Sequence, residues 1–525
     1  MLVEQRVLKN QELKPLKAKA LLIYPALYKV TGLPVGLASL SAVLKESGHA
    51  VKIFDTTFYT QGEWENQTRI RAERGMSKEI KDEDQSFPAN ASDMQEDIIK
   101  LINDYKPDII GISILEMLYD FSLRLTQLIK ETFQDIPIIA GGVFPTLSPE
   151  RVMNESSIDI VCVGEGETAL LELCNRVSRN KSFVDIDGLW VKSNGKAHKN
   201  NLLKLHNINE LPHPDYTEFD EWLFCKPMQG RMYKMVNIET SRGCPFNCTY
   251  CAAPHLARFF KESDGGQYFR QMEMEKIIDQ IHFQIKKHTP EFIYFSSENF
   301  ISMSEKGFNK FIAEYEKINL PFWIQTRIET ITEKRLSELK RVGLHWLSIG
   351  LEHGNKEFRK RILKRKYSNK MFIEKMEILR ELDMGASINN MIGFPFETRA
   401  LIFDTINMNR ALWQRNPKLE SNAFVFTPYR GCELYDMCIE NGLFDADFIC
   451  TSSLNEESVL NFSKEFQEDL KGLIRTFNLY VKLPEKYHEQ IKIAEQGNEE
   501  GDAMLKKLSN LLKKKPALSG VAPKS

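Results

Sequence analysis

The chain has 525 residues and a mass of 60.8 kDa, which is more than one hydrophobic core usually accommodates, so at least two domains are expected. A formal net charge of -2 excludes a bulk attraction for nucleic acid or anionic lipid. Nine cysteines are too few for a disulfide scaffold in so long a chain. Since no membrane span or signal peptide is predicted, we expect a cytoplasmic protein.

The first third of the chain alternates apolar runs of strand length with segments of helical periodicity. The predicted strands are 20–25, 51–54, 109–113, 136–140 and 158–163. The predicted helices are 37–45, 119–132, a helix from Pro149, and 168–177, with a polar insertion at 60–93. This alternation predicts an α/β domain with a Rossmann-like (flavodoxin-like) parallel sheet, whose ligand lies at the carboxyl ends of the strands.

Small and polar residues follow three of these strands. Glycine there lets the backbone approach a bulky, flat ligand closely, although each turn taken alone is equally typical of a tight strand-to-helix connection. No Gly-x-Gly-x-x-Gly follows the first strand, which argues against a dinucleotide site. The candidate cofactor-binding residues at these turns are Ser113, Gly141, Gly142, Gly164, Glu165 and Gly166.

A hairpin and a linker follow. The Asn194-Gly195 pair after an apolar run is a hairpin signal. The prolines of 211–215 disfavour helix and predict an extended linker.

From Lys234 onwards strands and helices alternate again. About six such units predict a partial (β/α)6 TIM-like barrel, with function at the carboxyl ends of its strands. Residues 456–500 have helical periodicity, broken at Pro484, and predict a C-terminal helical region. The predicted barrel strands are 235–238, 292–295, 322–325, 346–349, 388–392 and 422–426.

Three cysteines lie in the loop after the first barrel strand, at Cys244, Cys248 and Cys251. Their spacing is Cys-x3-Cys-x2-Cys, and no fourth cysteine lies nearby. Three thiolates can hold three irons of a cubane and leave the fourth iron open to a small molecule. A structural zinc site usually takes four protein ligands, so zinc is disfavoured.

This triplet, with the aromatic Tyr250 before its third cysteine, resembles the radical S-adenosylmethionine (SAM) superfamily. The N-terminal elements 111–113, 141–146 and 164–167 resemble, in the same order, the "GIS", "GG-x-x-P-T" and "GEGE" motifs of a cobalamin (B12)-binding domain. The chain therefore resembles the cobalamin-binding radical SAM enzyme family. The resemblance implies three cofactors, namely a 4Fe–4S cluster on the three cysteines, SAM and cobalamin.

The resemblance also implies roles for individual residues. Ser297 and Glu298 correspond to the group that binds the methionine ammonium, and Glu352 to the residue that binds the ribose. Gly393 belongs to the turn on which adenine rests, and Tyr250 contacts the cofactor. Arg327 is placed with the cysteines in catalysis, near the SAM carboxylate or the substrate, because a guanidinium grips a carboxylate through two parallel hydrogen bonds. A surface ion pair is the alternative for Arg327.

The roles of two further sets of residues are not decided by the sequence. Arg430 and Cys432 depart from the family's "P-x-P-G-T" turn, so they either contact the substrate or reflect drift. His353 either faces the substrate or has a structural role. The basic run 359–366 would suit nucleic acid, but helical spacing and the near-neutral charge favour a solvated helix face.

The expected organisation has five parts. They are a cobalamin-binding Rossmann-like domain at 1–185, a hairpin and linker at 186–230, a radical SAM partial barrel at 231–445, a C-terminal helical region at 446–512 and a disordered tail at 513–525.

The function implied is reductive cleavage of SAM to a 5′-deoxyadenosyl radical, with methyl transfer through cobalamin to an unactivated carbon of a small-molecule substrate. The alternative is a cyclase or rearrangement enzyme of the anaerobic Mg-protoporphyrin ester cyclase type. The implied partner is an electron donor such as flavodoxin or ferredoxin, with no nucleic acid and no membrane. The loop 26–36 contains no histidine, so it offers no imidazole to the lower face of cobalamin. Loss of the cofactor is the other explanation for that departure.

Overall fold

A computed structural model describes residues 17–27, 32–60, 71–76, 78, 89–90, 92–450 and 457–514 of the chain. Two seven-stranded sheets form the framework of this part of the molecule, and a separate two-stranded ribbon is inserted, in sequence, within the second sheet. Helices pack on the sheets, as the alternating pattern predicts.

The first sheet has the strand order β2-β1-β3-β4-β5-β6-β7. The first five strands pair in parallel, in the order 2-1-3-4-5 that is typical of flavodoxin-like sheets. The predicted strands and helices of this region are confirmed to within about three residues. Its strands are β1 (Lys19–Tyr24), β2 (Ala50–Asp55), β3 (Ile109–Ser113), β4 (Ile138–Gly141), β5 (Ile160–Cys162), β6 (Leu189–Ser193) and β7 (Lys196–Lys199).

The helices of this region run between the strands and cover the sheet. Asp93 begins the second of them, because its side chain accepts hydrogen bonds from the backbone N–H groups of Gln95 and Glu96. Most of the insertion predicted at 60–93 lies outside the described residues. The helices are α1 (Val35–Glu46), α2 (Met94–Tyr105), α3 (Tyr119–Thr132), α4 (Val143–Leu147), α5 (Pro149–Asn154) and α6 (Glu167–Val177).

The predicted hairpin is confirmed as β6 and β7. Asn194 and Gly195 both have positive φ, 51° and 72°, as a two-residue type I′ turn requires. Strand β6 pairs antiparallel with β5, so the hairpin extends the first sheet at its edge. The sequence pattern predicted the turn but could not show which strand the hairpin joins.

The second sheet has the order β16-β15-β14-β13-β12-β9-β8. Six strands from β9 to β16 are parallel, and β8 adds antiparallel at one edge. This arrangement is a curled, open half-barrel. Its strands are β8 (Cys225–Met228), β9 (Arg231–Ile238), β12 (Phe292–Phe295), β13 (Phe322–Thr326), β14 (Leu344–Glu352), β15 (Ala386–Ile392) and β16 (Leu419–Val425), and the separate ribbon is β10 (Ser241–Arg242) with β11 (Arg270–Gln271).

The remaining helices cover the half-barrel and form the C-terminal region. The proline break is confirmed, since one helix ends at Lys482, directly before Leu483 and Pro484. The last helix reaches Lys514 and so includes the first two residues of the predicted tail, and the rest of the tail lies outside the described residues. The helices are α7 (Ala253–Glu262), α8 (Met274–His288), α9 (Glu305–Tyr315), α10 (Glu333–Arg341), α11 (Lys356–Arg361), α12 (Asn369–Glu381), α13 (Arg399–Arg415), α14 (Glu433–Glu440), α15 (Lys464–Lys482), α16 (His488–Ala494) and α17 (Glu499–Lys514).

None of these described helices has the length and apolar character needed to cross a membrane.

An aromatic cluster fixes the outer face of the half-barrel. Phe311 of α9 has no exposed surface, and its ring lies 5.1 Å from Phe300 and 5.0 Å from Tyr315, measured between centroids. The rings of Phe295 and Phe322, on β12 and β13, lie 5.6 and 6.0 Å from it. Such ring pairs add to the stabilisation that burial alone provides.

We predict that Phe311→Ala destabilises the protein by about 3–5 kcal/mol, because it removes buried surface and leaves a cavity between α9 and the sheet. The measurement is the urea midpoint followed by circular dichroism. The control is Phe448→Ala, whose side chain is 45% exposed, and whose midpoint we expect to stay near that of the wild type. Equal midpoints for the two variants would contradict the prediction.

Candidate active site

The three predicted cluster cysteines lie on one loop between the ribbon strand β10 and helix α7. Cys248 is buried, whereas Cys244 and Cys251 are half-buried. The backbone N–H of Ala253, the first residue of α7, lies 3.5 Å from the Cys251 sulfur. The helix N-terminus therefore faces one of the three sulfurs, where its dipole favours negative charge.

The thiols are close enough to influence one another. Burial raises the pKa of Cys251 to about 12, and the neighbouring Glu298, Cys248 and Cys244 act in the same direction. Burial also raises the pKa of Cys244. Burial therefore disfavours the thiolate form of both side chains, and binding a metal there would release protons.

No three described His, Cys, Asp or Glu side chains converge closely enough to hold a single metal ion. A cubane places each thiolate on a different iron. Its ligands consequently surround a volume rather than a point, and three neighbouring thiols on one loop fit that requirement.

Arg327 follows β13 and reaches the cysteine loop. Its Nη1 donates to the sulfur of Cys248 at 3.0 Å, and its Nη2 donates to Glu329 at 2.6 Å. The guanidinium carbon lies 3.8 Å from the ring centroid of Phe246, which is also on the loop. The surface ion pair that was the alternative for Arg327 is excluded, because the residue is only 9% exposed.

Arg365 is a functional candidate that the sequence interpretation missed. It is 2% exposed, and its Nη1 donates to the hydroxyl of Tyr250 at 2.9 Å and to Glu352 at 2.5 Å. Its Nε and Nη2 have no hydrogen-bond partner. Gly350 makes room for this arrangement, since a Cβ there would lie 2.9 Å from Nη1 of Arg365 and collide with Glu352.

The solvated helix face predicted for 359–366 is therefore wrong in part. Arg359 has no exposed surface, and it donates to the carbonyl oxygen of His353 at 2.5 Å and to Asn369 at 2.5 Å. Helix α11 ends at Arg361, so the run does not continue as one helix. Arg359 and Arg365 turn inwards because carbonyl and carboxylate groups inside the protein accept their hydrogen bonds. The composition of the run does not reveal these partners.

Glu298 and Ser297 lie at the end of β12, as predicted. Glu298 is exposed to a cavity, yet the surrounding protein shields it from bulk water and raises its pKa. Ser297 is 5% exposed and its hydroxyl has no hydrogen-bond partner. One carboxylate and one unsatisfied hydroxyl thus stand beside the cysteine loop, which suits a ligand with ammonium or hydroxyl donors.

The predicted adenine turn is held by Glu397, a residue the sequence interpretation did not identify. Its Oε2 accepts hydrogen bonds from the backbone N–H groups of Gly393 and Phe394, at 2.5 and 3.0 Å. Its Oε1 lies 2.9 Å from Nε2 of His353, which is fully buried and whose Nδ1 accepts from the backbone N–H of Asn355. His353 therefore acts on the turn rather than facing a substrate.

A cavity of about 240 Å³ lies at the carboxyl edge of the first sheet and is here named the glycine cavity. It is lined mainly by apolar side chains and glycines. Among its lining residues are the six candidates predicted from the strand ends: Ser113, Gly141, Gly142, Gly164, Glu165 and Gly166.

The lining of the glycine cavity suits contact with a flat, largely apolar surface, such as one face of a corrin ring. Gly142 has a φ of 107°, and a Cβ there would lie 3.0 Å from the carbonyl oxygen of Ile114, so a side chain would strain this wall. Leu115 and Val143, which follow β3 and β4, are each 46% exposed at the same edge. None of the described residues that line the cavity is a histidine.

A second cavity, of about 330 Å³, adjoins the first and is here named the junction cavity. It shares Gly142, Gly164 and Glu165 with the glycine cavity and is also lined by Gly243, next to Cys244, and by Glu298. The two predicted cofactor regions, one from each sheet, therefore meet at a single space.

Arg242 closes one side of both cavities. Its guanidinium lies 3.1 Å from Glu165, 2.8 Å from Glu167 and 3.2 Å from Glu239. Glu165 also accepts from Arg270 at 3.0 Å, so its carboxylate links the loop after β5 to both strands of the ribbon, β10 and β11.

Arg430 joins the two sheets at another point. Its backbone N–H and its guanidinium donate to the buried Glu116 at 2.9 and 3.1 Å. The Cys432 sulfur lies 3.1 Å from the carbonyl oxygen of Tyr250. Both residues that depart from the family turn thus have structural partners.

Two family models match the chain. The model described as "Radical SAM superfamily" matches residues 238–408, and the model described as "B12 binding domain" matches residues 23–174.

The chain is also similar to individual proteins and to a solved structure. An uncharacterized methyltransferase of Pyrococcus horikoshii is 27% identical over 79% of this chain and 80% of that protein. An anaerobic magnesium-protoporphyrin IX monomethyl ester cyclase of Rubrivivax gelatinosus is 25% identical over 66% of this chain and 61% of that protein. The solved radical SAM methyltransferase TsrM from Kitasatospora setae, with cobalamin and a 4Fe–4S cluster bound, has a TM-score of 0.62 at 13% identity, covering 95% of this chain and 99% of that chain. At that identity the likeness shows a shared fold.

We predict that Arg365→Gln destabilises the protein by about 3–5 kcal/mol, because the change removes the buried cation that pairs with the half-buried Glu352. The control from the same basic run is Lys366→Gln, an exposed position that should change stability by less than about 0.5 kcal/mol. Thermal unfolding of both variants measures the difference. A melting temperature for Arg365→Gln that matches that of Lys366→Gln would restore the solvated-face interpretation.

Proposed function

We propose that this chain, which belongs to the radical SAM enzymes with a B12-binding domain, is a methyltransferase acting on an unactivated carbon of a small-molecule substrate. The observation that carries the proposal is the junction cavity, because it joins the glycine cavity to the cysteine loop and to Glu298. A substrate carbon held there is within reach of groups bound on both sides.

Cys244, Cys248 and Cys251 are the residues that would hold a 4Fe–4S cluster. When bound, the cluster supplies the electron for reductive cleavage of SAM, and cobalamin supplies methyl transfer. The protein's own part is to bind and orient the ligands and to exclude water. Half-burial of two thiols and burial of the third serve that exclusion.

Four predicted residues would hold SAM along the carboxyl edge of the half-barrel. The Glu298 carboxylate and the unsatisfied Ser297 hydroxyl are available to the methionine ammonium. Glu352, fixed by Arg365, is oriented for the ribose hydroxyls. The turn at Gly393, whose N–H is already taken by Glu397, offers its remaining backbone to adenine.

The six residues of the glycine cavity would hold cobalamin through its apolar surface and through backbone contacts. We infer that the chain has the five parts expected from its sequence, namely the cobalamin-binding domain, the hairpin and linker, the partial barrel, the C-terminal helical region and the tail. The hairpin extends the first sheet. A thiolate-held cluster needs a reducing compartment, which favours the cytoplasm, and it needs a small electron-transfer protein such as flavodoxin or ferredoxin.

The cyclase or rearrangement alternative is favoured by the similarity to the Rubrivivax gelatinosus protein. An enzyme with this alternative function would use the same cofactor residues and would differ only in what happens to the substrate radical. The products therefore distinguish the two functions.

With methyl-labelled SAM, iron, sulfide and cobalamin under anaerobic conditions, we predict both S-adenosylhomocysteine and 5′-deoxyadenosine, with the label in the substrate. One SAM molecule gives up its methyl group and another is cleaved. Mass spectrometry of candidate substrates and of both nucleosides is the measurement. 5′-Deoxyadenosine with no S-adenosylhomocysteine would support the cyclase alternative.

We predict that Cys244→Ala abolishes both the iron–sulfur absorbance and SAM cleavage, because only two thiolate ligands remain. The matched control is Cys438→Ala, which removes a fully buried cysteine of α14 that is outside the loop and should retain both signals. Retained SAM cleavage in Cys244→Ala would exclude the cluster assignment.

A further inference from the structure

The hydrogen bond from Arg327 to Cys248 has a charged guanidinium as its donor, and Arg327 reaches the cysteine loop from the end of β13. The N–S distance is 3.0 Å, well within hydrogen-bond range for sulfur. Both residues are shielded from water, with 9% and 8% of their surface exposed. Such burial strengthens an electrostatic interaction, since little water screens it.

The position of Arg327 is fixed from several sides. Its carbonyl oxygen accepts from the hydroxyl of Thr330 at 2.8 Å, and its guanidinium stacks on Phe246. Its Nη2 is held by Glu329 at 2.6 Å. The Nη1 group therefore points at the Cys248 sulfur with little freedom to move away.

Glu329 links this arginine to a second one. Its other carboxylate oxygen, Oε2, lies 4.0 Å from Nη2 of Arg365, the residue that holds Glu352 and Tyr250. Two positive and two negative side chains thus extend in a chain from the sulfur of Cys248 to Glu352. Glu329 is the member nearest to the sulfur that carries a negative charge.

From this geometry we propose that Arg327 and Glu329 set the reduction potential of the cluster through Cys248, in opposite directions. Arg327 is then a positioning residue that acts on the bound cluster through a ligand. The proposal rests on the proposed function, since it requires a cluster on the three cysteines.

The physical reason is the charge that the cluster gains on reduction. Reduction adds one electron to the cluster, and no bond forms or breaks in the protein. A hydrogen bond from a cation to the ligand sulfur stabilises the more negative, reduced state, so it raises the potential. The carboxylate of Glu329 opposes this effect, because it neutralises part of the arginine charge and repels the added electron.

The experiment is a redox titration of the full-length chain, reconstituted with iron and sulfide, with dithionite as the electron donor and electron paramagnetic resonance as the signal. Arg327→Gln should make reduction on the order of tenfold less favourable, a shift of about 59 mV to lower potential for one electron. Glu329→Gln should shift the potential upwards. Arg327→Lys, which keeps the charge but not the planar fork, should lie between Arg327→Gln and the wild type.

The matched control is Arg341→Gln, which removes an exposed arginine that also pairs with glutamates and should leave the potential unchanged. A potential in Arg327→Gln equal to or above that of the wild type would overturn the proposal. If Arg327→Gln holds no cluster, the upward shift of Glu329→Gln decides, and an unchanged potential there would also overturn it. A wild-type protein that gives no cluster signal would contradict the proposed function instead.

Discussion

The guanidinium of Arg242, whose side chain is only 14% exposed, links the two halves of the site. It lies between Glu165 and Glu167 from the first sheet and Glu239 from the second. Three carboxylates so close together would repel one another without a central cation, and burial would make that repulsion costly. The ion pairs therefore stabilise the edge-to-edge approach of the sheets, two residues away from Cys244. The cavities on either side depend on this contact.

The rest of the site follows from the direction of the strands. In both sheets the functional residues stand at or just beyond the carboxyl ends of parallel strands, where backbone N–H groups and loops face a common edge. The first sheet contributes glycines and small residues to that edge, and the second contributes charged and sulfur-bearing side chains. The largely apolar glycine cavity therefore adjoins the more polar junction cavity.

A second set of residues orients the groups that would contact ligands. Arg365 fixes Glu352 and Tyr250, Glu397 fixes the backbone at Gly393, and Arg327 fixes the position of Cys248. These partners are buried, and each donates or accepts through atoms that would otherwise lack a hydrogen bond. Because an unsatisfied buried polar group is costly, the network favours one arrangement of the site even without its cofactors.

The amino-acid sequence by itself determined the alternation of strands and helices, the Asn194-Gly195 turn, the glycines at the strand ends and the cysteine spacing, since each depends on neighbouring residues only. It did not reveal Arg242, Glu329, Arg365 or Glu397. Arg242 and Arg365 pair with residues far away in sequence, such as Glu165 and Tyr250, whereas Glu329 and Glu397 bind near neighbours whose orientation depends on the fold. For Arg365 the local pattern was misleading, because a charged run of this kind usually faces solvent. Only the tertiary structure decides which charges are buried, because burial and pairing depend on which carboxylates and carbonyl groups the folded chain places opposite them.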